Sequence, residues 1–284
     1  MLKLHGEKGS QIVRGDKREE VGKRQVWRLL ETECDDPVLN LGIEEAIVEK
    51  VSTGEAPNTV RFWRNTGTVA VIGRFQIPEL EVNKEACRKY SLTVVRRFTG
   101  GGTVYNDGGN LNYSIAVRRD NPIIPGIIAQ ITPTLCRGVV EGLRTLGLNA
   151  EFEQEGAYIH INGKKISGTA GIVKRTLVFV HGTLLISSDL SRLREVLDVP
   201  PYTSLSQQRR FVKSNRREVT SIEAELGRSV TFEEVKDAIK VGFAKNLGIE
   251  LRTGRMLGSE LLLSKEIAER KHSEIMISPS QREQ

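Results

Sequence analysis

Apolar and polar residues alternate over Gln25-Val26-Trp27-Arg28-Leu29-Leu30, the period-two pattern of a strand, and the patterned part of the chain begins there. Asp36 and Pro37 then supply a helix start, followed by Leu39, Ile43, Ala46 and Ile47 on one helical face. Two short β-rich runs, 59–64 and 68–74, are split by Asn65-Thr66-Gly67, which predicts a hairpin. A helix over 79–90 and a strand over 92–97 lead to Thr99-Gly100-Gly101-Gly102, with strands expected at 103–105 and 111–117. Helical spacing returns over 131–146 and stops at Gly147. Strand patterns follow at 158–161, 165–173 and 176–186, and a short helix at 189–197. Thr231-Phe232-Glu233-Glu234 is a capping box opening a helix that turns Phe232, Val235, Ile239 and Phe243 inward and ends near Gly248. Strand runs broken by a few helices, without regular β-α-β alternation, predict an α+β domain over 25–250. Residues 1–24 read as a flexible extension, and 251–284 as a weakly periodic segment without a full accessory domain.

With 38% hydrophobic and 27% charged residues, the composition is that of an ordinary globular chain. No apolar run reaches the roughly 18 residues of a membrane span, and the first residues lack the apolar core of a secretory signal. Cys34, Cys87 and Cys136 have no metal-type spacing and suggest reduced thiols, so a cytoplasmic setting is expected. The net charge of +6 is spread over Arg96-Arg97, Lys164-Lys165, Lys174-Arg175, Arg209-Arg210 and Arg216-Arg217. Aromatics are 5% and do not interleave with these clusters, which argues against a nucleic-acid groove and leaves a solvated surface, phosphates or an acidic protein.

Three segments carry candidate chemistry. In Arg96-Arg97-Phe98-Thr99-Gly100-Gly101-Gly102-Thr103-Val104-Tyr105-Asn106-Asp107, three glycines after a strand allow close backbone approach to a ligand, and their N–H groups can cradle an anion. Arg97 could add a bidentate contact, although a glycine triplet can equally be a plain turn. In Asn162-Gly163-Lys164-Lys165-Ile166-Ser167-Gly168-Thr169-Ala170, a lysine beside small residues suits a phosphate or carboxylate; a basic hairpin turn explains the same letters. His181-Gly182-Thr183-Leu184-Leu185 places His181 on one strand face with Phe179 and Leu185, as a satisfied core histidine would be.

Taken in order, these three motifs resemble the lipoate–protein ligase family, part of a superfamily with biotin ligases and octanoyltransferases. Further matching segments are Asn40-Leu41-Gly42-Ile43-Glu44-Glu45-Ala46, Arg61-Phe62-Trp63, Gly73-Arg74-Phe75-Gln76, Val82-Asn83 and Val219-Thr220-Ser221-Ile222. The resemblance implies a mixed β-sheet flanked by helices and ATP-dependent formation of lipoyl-AMP, followed by transfer to a lysine of a lipoyl-domain protein or a glycine-cleavage H-type protein. It implies that Lys165 is the catalytic lysine. Arg97, Gly100, Gly101, Gly102, Thr103, Val104, Tyr105, Ser167, Gly168, Thr169 and Ala170 would hold ATP and the adenylate, with Arg74, His181, Gly182 and Thr183 on the lipoyl side. Mg²⁺ is expected with ATP, and no position identifies its ligands.

The chain departs from the family pattern at Asn106, where histidine is usual, at Thr103, where alanine is common, and at Gly156-Ala157-Tyr158-Ile159, which replaces an Asn-Asp pair. The competing reading is an octanoyl or lipoyl transferase of the same fold working through a cysteine thioester. Such a cysteine would lie shortly before the lysine motif or after the His-Gly motif, and residues 151–165 and 181–284 contain none. A non-catalytic lipoyl-protein binding module is the alternative of another class. Because the match fades near Gly248, a separate small accessory ligase chain is the expected partner.

Overall fold

The computed structural model describes residues 24–198 and 212–272. The expected flexible extension lies outside them, apart from Arg24, as does the segment beyond His272. The described elements are β1 (Gln25–Glu33), α1 (Pro37–Thr53), β2 (Thr59–Arg64), β3 (Val69–Ile72), a single 3₁₀ turn (Pro78–Leu80), α2 (Lys84–Lys89), β4 (Thr93–Arg96), β5 (Val104–Asn106), β6 (Asn110–Arg118) and α3 (Ile128–Thr145). They continue with β7 (Ala150–Glu153), β8 (Tyr158–Ile161), β9 (Lys164–Val173), β10 (Leu177–Leu185), α4 (Leu190–Leu197), α5 (Ile222–Leu226), α6 (Phe232–Leu247), β11 (Ile249–Thr253) and α7 (Gly258–His272). No helix among the described residues is long and apolar enough to cross a membrane.

The main sheet is mixed and eight-stranded, in the order β11-β1-β2-β6-β10-β9-β8-β7, parallel over the first three strands and antiparallel beyond. Its central strands β2, β6 and β10 are buried on both faces, and their side chains divide by the period of two. Leu29, Ile115, Val117, Val178 and Val180 pack with Leu135 and Val139 of α3 and Ile239 and Phe243 of α6. Their neighbours Leu30, Ala116, Leu177 and Phe179 pack with Ile43 and Ile47 of α1 on the other side. A second sheet, β4-β3-β5, is covered by α2 and α4 through Ala86, Cys87, Leu193 and Val196. The glycine loop joins β4 to β5, so this small sheet holds both of its ends.

The hairpin expected at Asn65-Thr66-Gly67 is not formed. β2 pairs with β1 and β6, whereas β3 pairs with β4 and β5, so the connection crosses between sheets. Asn65 is buried there and accepts from Asn40 Nδ2 at 3.1 Å, a link from α1 rather than a turn. The helix expected over 79–90 divides into the 3₁₀ turn and α2, because the Asn83 side chain caps Glu85 N and Ala86 N. Asn162 (φ 50°) and Gly163 (φ 82°) do form the β8–β9 hairpin turn.

The pattern also continues past Gly248. β11 adds the edge strand beside β1, and α7 docks on α1. A Cβ on Gly42 would collide with the Ser264 carbonyl, so the glycine permits this close approach. Glu260 of α7 is fully buried and grips Arg28 of β1 with two bonds, at 2.6 and 2.8 Å. It also accepts from Leu257 N at 2.7 Å. Glu260→Ala would leave a buried guanidinium without its counter-charge, and we expect a loss of about 3–5 kcal/mol in denaturant unfolding. A change below about 1 kcal/mol, the scale of an exposed pair, would show that the bridge does not anchor α7.

Candidate active site

Lys165 sits where two cavities meet. The larger, about 550 Å³, is lined by Tyr105, Leu185, Leu193, Arg216, Arg217 and Glu218. The smaller, about 240 Å³, is lined by Leu41, Trp63, Val71, Tyr113, Ala170 and His181. Thr103, Val104, Gly168, Thr183 and Lys165 itself border both. Both cavities have mainly apolar walls, with Arg97 and Lys213 on the smaller, Arg216 and Arg217 on the larger, and the Lys165 ammonium between them.

Glycines and small residues make room for this lysine. A Cβ on Gly168 would lie 3.0 Å from Lys165 Nζ, so the glycine gives the ammonium room that a side chain would crowd. A Cβ on Gly182 would collide with the Tyr113 hydroxyl, which instead reaches Ser167 Oγ at 3.2 Å. Lys165 Nζ lies 5.7 Å from the Tyr158 ring centre and the Arg217 guanidinium 5.8 Å from the same ring, so two cations converge there. Among the described residues neither is seen to make a hydrogen bond or ion pair through its side chain. Burial, together with the positive charges of Arg97 and Arg217, holds the Lys165 ammonium below its ordinary pKa. A desolvated cation without a partner attracts an anion strongly. Lys164, one residue earlier, is exposed and lies 3.8 Å from Glu218.

The glycine loop arches over the same place. Gly101 adopts φ +84°, and the N–H groups of Gly100, Gly101 and Gly102 have no partner among the described residues, as an anion cradle requires. Arg97 does not reach out toward a phosphate as its position in the sequence suggested. It is buried and donates to the Val71 (3.0 Å), Gly100 (2.5 Å) and Gly102 (2.8 Å) carbonyls and to Thr99 Oγ1 (3.0 Å). Two loop carbonyls, the Thr99 hydroxyl and the Val71 carbonyl of β3 thus hold four of its five N–H donors, and burial brings its pKa down to about 10. Arg97 shapes the cradle from beneath.

His181 is satisfied at both nitrogens while also lining the smaller cavity: Nδ1 lies 2.9 Å from Glu44 Oε2 and Nε2 2.7 Å from Thr99 Oγ1. Thr183 Oγ1 donates to Asn112 Oδ1 at 2.5 Å, and Thr169 is tied to the Ala157 carbonyl at 2.7 Å. Arg74 is exposed, lines neither cavity, and has its guanidinium 5.5 Å from the Phe75 ring. Sequence reading missed Gln76, Glu81 and Ser214, which bond to one another beside Thr103. Their only signals were the Gly73-to-Gln76 segment and the basic cluster at 216–217. Cys87 and Cys136 are buried, and burial pushes their thiols up to about 11 and about 12. Cys34 is half-buried after β1, and no cysteine lines either cavity.

The family described as the lipoyl protein ligase A/B catalytic domain matches residues 36–244. The octanoyltransferase LipM of Brevibacillus brevis is 29% identical over 269 residues, 87% of this chain and 96% of its own. Lipoate-protein ligase A subunit 1 of Thermoplasma acidophilum is 32% identical over 244 residues, 83% and 89% of the two chains. A crystal structure of lipoate-protein ligase A bound with ATP is similar with a TM-score of 0.75 at 29% identity, over 88% of this chain and 96% of that one.

Proposed function

The chain belongs to the lipoyl protein ligase A/B catalytic-domain family, whose enzymes carry out lipoyl and octanoyl transfer, and from that premise we propose that it is an ATP-dependent lipoate–protein ligase. The observation that carries this reading is a cleft with an unpartnered lysine and an anion cradle but no thiol. A thioester route needs an activated thiolate beside the reacting carbonyl, whereas the two buried cysteines here are pushed away from ionisation. Similarity to LipM favours the transferase reading, whereas the cysteine positions support the ligase.

In the proposed reaction the lipoate chain occupies the smaller cavity and the nucleotide the larger, with ATP supported by the ATP-bound ligase structure. Lys165 neutralises the carboxylate and the α-phosphate, whose mutual repulsion opposes attack. A carboxylate oxygen bonds to the α-phosphorus, pyrophosphate leaves, and lipoyl-adenylate remains bound. An acceptor lysine amine then attacks the carbonyl carbon, loses a proton, and expels AMP. Among the described residues no three His, Cys, Asp or Glu side chains cluster as a metal site, so Mg²⁺ is assigned to the substrate as Mg-ATP rather than to a resident centre. The acceptor is a lipoyl-domain protein. A separate accessory chain is proposed by analogy with the Thermoplasma relative, which is named as a subunit.

Mass spectrometry of a purified lipoyl domain, incubated with this chain and either ATP plus lipoate or preformed lipoyl-adenylate, tests the reading. Lipoylation is expected from lipoyl-adenylate and, at least once the accessory chain is supplied, from ATP plus lipoate. A folded variant with Cys34→Ser, Cys87→Ala and Cys136→Ala is expected to keep most of the transfer from lipoyl-adenylate. Transfer from an octanoyl thioester donor without ATP, abolished in the cysteine-free variant, would establish the transferase instead.

A further inference from the structure

The segment from Val212 to Thr220 spans from the glycine loop to the strand of Lys165. Its far end pairs with that strand: Lys165 N donates to the Glu218 carbonyl at 2.8 Å, and Thr220 N to the Lys165 carbonyl at 3.0 Å. Its near end is gripped at Ser214. The Ser214 hydroxyl accepts from Thr103 N (2.8 Å) and Gln76 Nε2 (3.0 Å) and donates to Glu81, while Ser214 N donates to Glu81 Oε1 at 3.2 Å. Thr103 Oγ1 reaches both Gln76 Oε1 (3.0 Å) and Glu81 Oε2 (3.3 Å). Glu81 and Gln76 are 1% and 3% exposed and Thr103 and Ser214 half-buried, and a Cβ on Gly102 would press on Ser214 Oγ at 3.0 Å. Between the two anchors lie Asn215, Arg216 and Arg217, all lining the larger cavity.

We propose that Glu81 and Ser214 are positioning residues for the nucleotide half of the reaction. Glu81 clasps Ser214 to the glycine loop and so fixes Arg216 and Arg217 over the larger cavity. This inference rests on the reading of that cavity as the nucleotide site. Two cationic side chains on an otherwise irregular strand would lose their orientation if it were anchored only at Lys165, and ordering them anew would oppose each binding event. A cluster with every hydroxyl and carboxylate oxygen matched removes that freedom in advance. Glu81 lines neither cavity, so its carboxylate acts on ligands through Ser214 and Thr103, while its carbonyl accepts from Arg216 Nη2 at 3.5 Å.

The test compares Ser214→Ala and Glu81→Gln with the wild-type full chain by calorimetric titration of two probes, lipoate and preformed lipoyl-adenylate. Both variants are expected to bind lipoyl-adenylate about tenfold more weakly, with lipoate affinity within about twofold of wild type. Hydrogen exchange at the Thr103 and Ser214 amides, which the cluster holds, should quicken in both. Glu79→Gln, a half-exposed neighbour paired with Lys84, should change nothing. Unchanged adenylate affinity, or equal weakening of both probes as from general loosening, overturns the clasp. A wild-type chain that binds lipoate but not the adenylate overturns the nucleotide-site reading itself, and the clasp with it.

Discussion

Lys165→Ala is expected to lower lipoyl-adenylate formation by about a thousandfold, the scale of removing a charge-stabilising group from a water-poor site. Its effect on stability should run the other way. Burial and the neighbouring Arg97 and Arg217 lower the pKa of this ammonium in the folded chain. Between that lowered value and the ordinary lysine value, the unfolded chain binds more protons than the folded one. Unfolding free energy therefore rises with pH through this window, and below it the charged lysine is a constant destabilising presence. Removing it should leave the melting temperature unchanged or higher at neutral pH, while activity collapses. Lys164→Ala, on an exposed side chain, should change neither by more than about twofold in rate or 0.5 kcal/mol in stability. Adenylate formation near wild-type level in Lys165→Ala, or equal loss at the two lysines, would remove Lys165 from the reaction. The wild-type enzyme should also lose adenylation as pH rises through the lowered lysine pKa, earlier than an exposed lysine would allow.

The glycine loop and the room beside Lys165 were legible in the sequence because they are local, while the role of Lys165 came from the resemblance carried by the three motifs together. Gly168 leaves space for a lysine on the same strand, and three glycines in a row announce a backbone free to approach a ligand. The role of Arg97 was not legible, since the carbonyl of Val71 on another strand helps to turn its guanidinium under the loop. Ser214 and Glu81 stand 133 residues apart, and nothing in either neighbourhood advertises the other. α7 escaped notice for a different reason. Its buried row is Glu260, Ser264, Ile267 and Ala268, which has helical spacing but is half polar, so a search for hydrophobic period passes over it. The buried partner that makes this row intelligible, Arg28, lies at the other end of the chain.

Glu44→Ala is expected to reduce folding free energy by about 3–5 kcal/mol, a large share of the roughly 5–15 kcal/mol available to a domain. Glu44 is fully buried in α1 beneath His181, and Arg61, also fully buried, approaches it at 3.4 Å. Arg61 keeps bonds to Thr32 Oγ1, the Asn40 carbonyl and Asn40 Oδ1 in the variant, but its charge loses its only buried carboxylate among the described residues. Glu44→Gln preserves volume and an acceptor, so the smaller loss expected there separates packing from charge. Burial alone would raise the Glu44 carboxyl, but the hydrogen bond and charge of His181, the charge of Arg61 and the Ser114 hydroxyl together hold it below its ordinary value. The sign follows: the folded chain binds fewer protons than the unfolded one between the lowered and ordinary values. The resulting stabilisation is complete above the ordinary carboxylate pKa and is lost as pH falls through the lowered one. Denaturant titrations between about pH 3 and pH 7 should therefore show wild type and Glu44→Gln well separated near neutrality and converging in acid. A gap that stays constant across this range would mean that the carboxylate contributes by shape alone. His181 links the same group to the glycine loop through Thr99, so the acid limb of stability and the geometry of the cradle share one buried carboxylate.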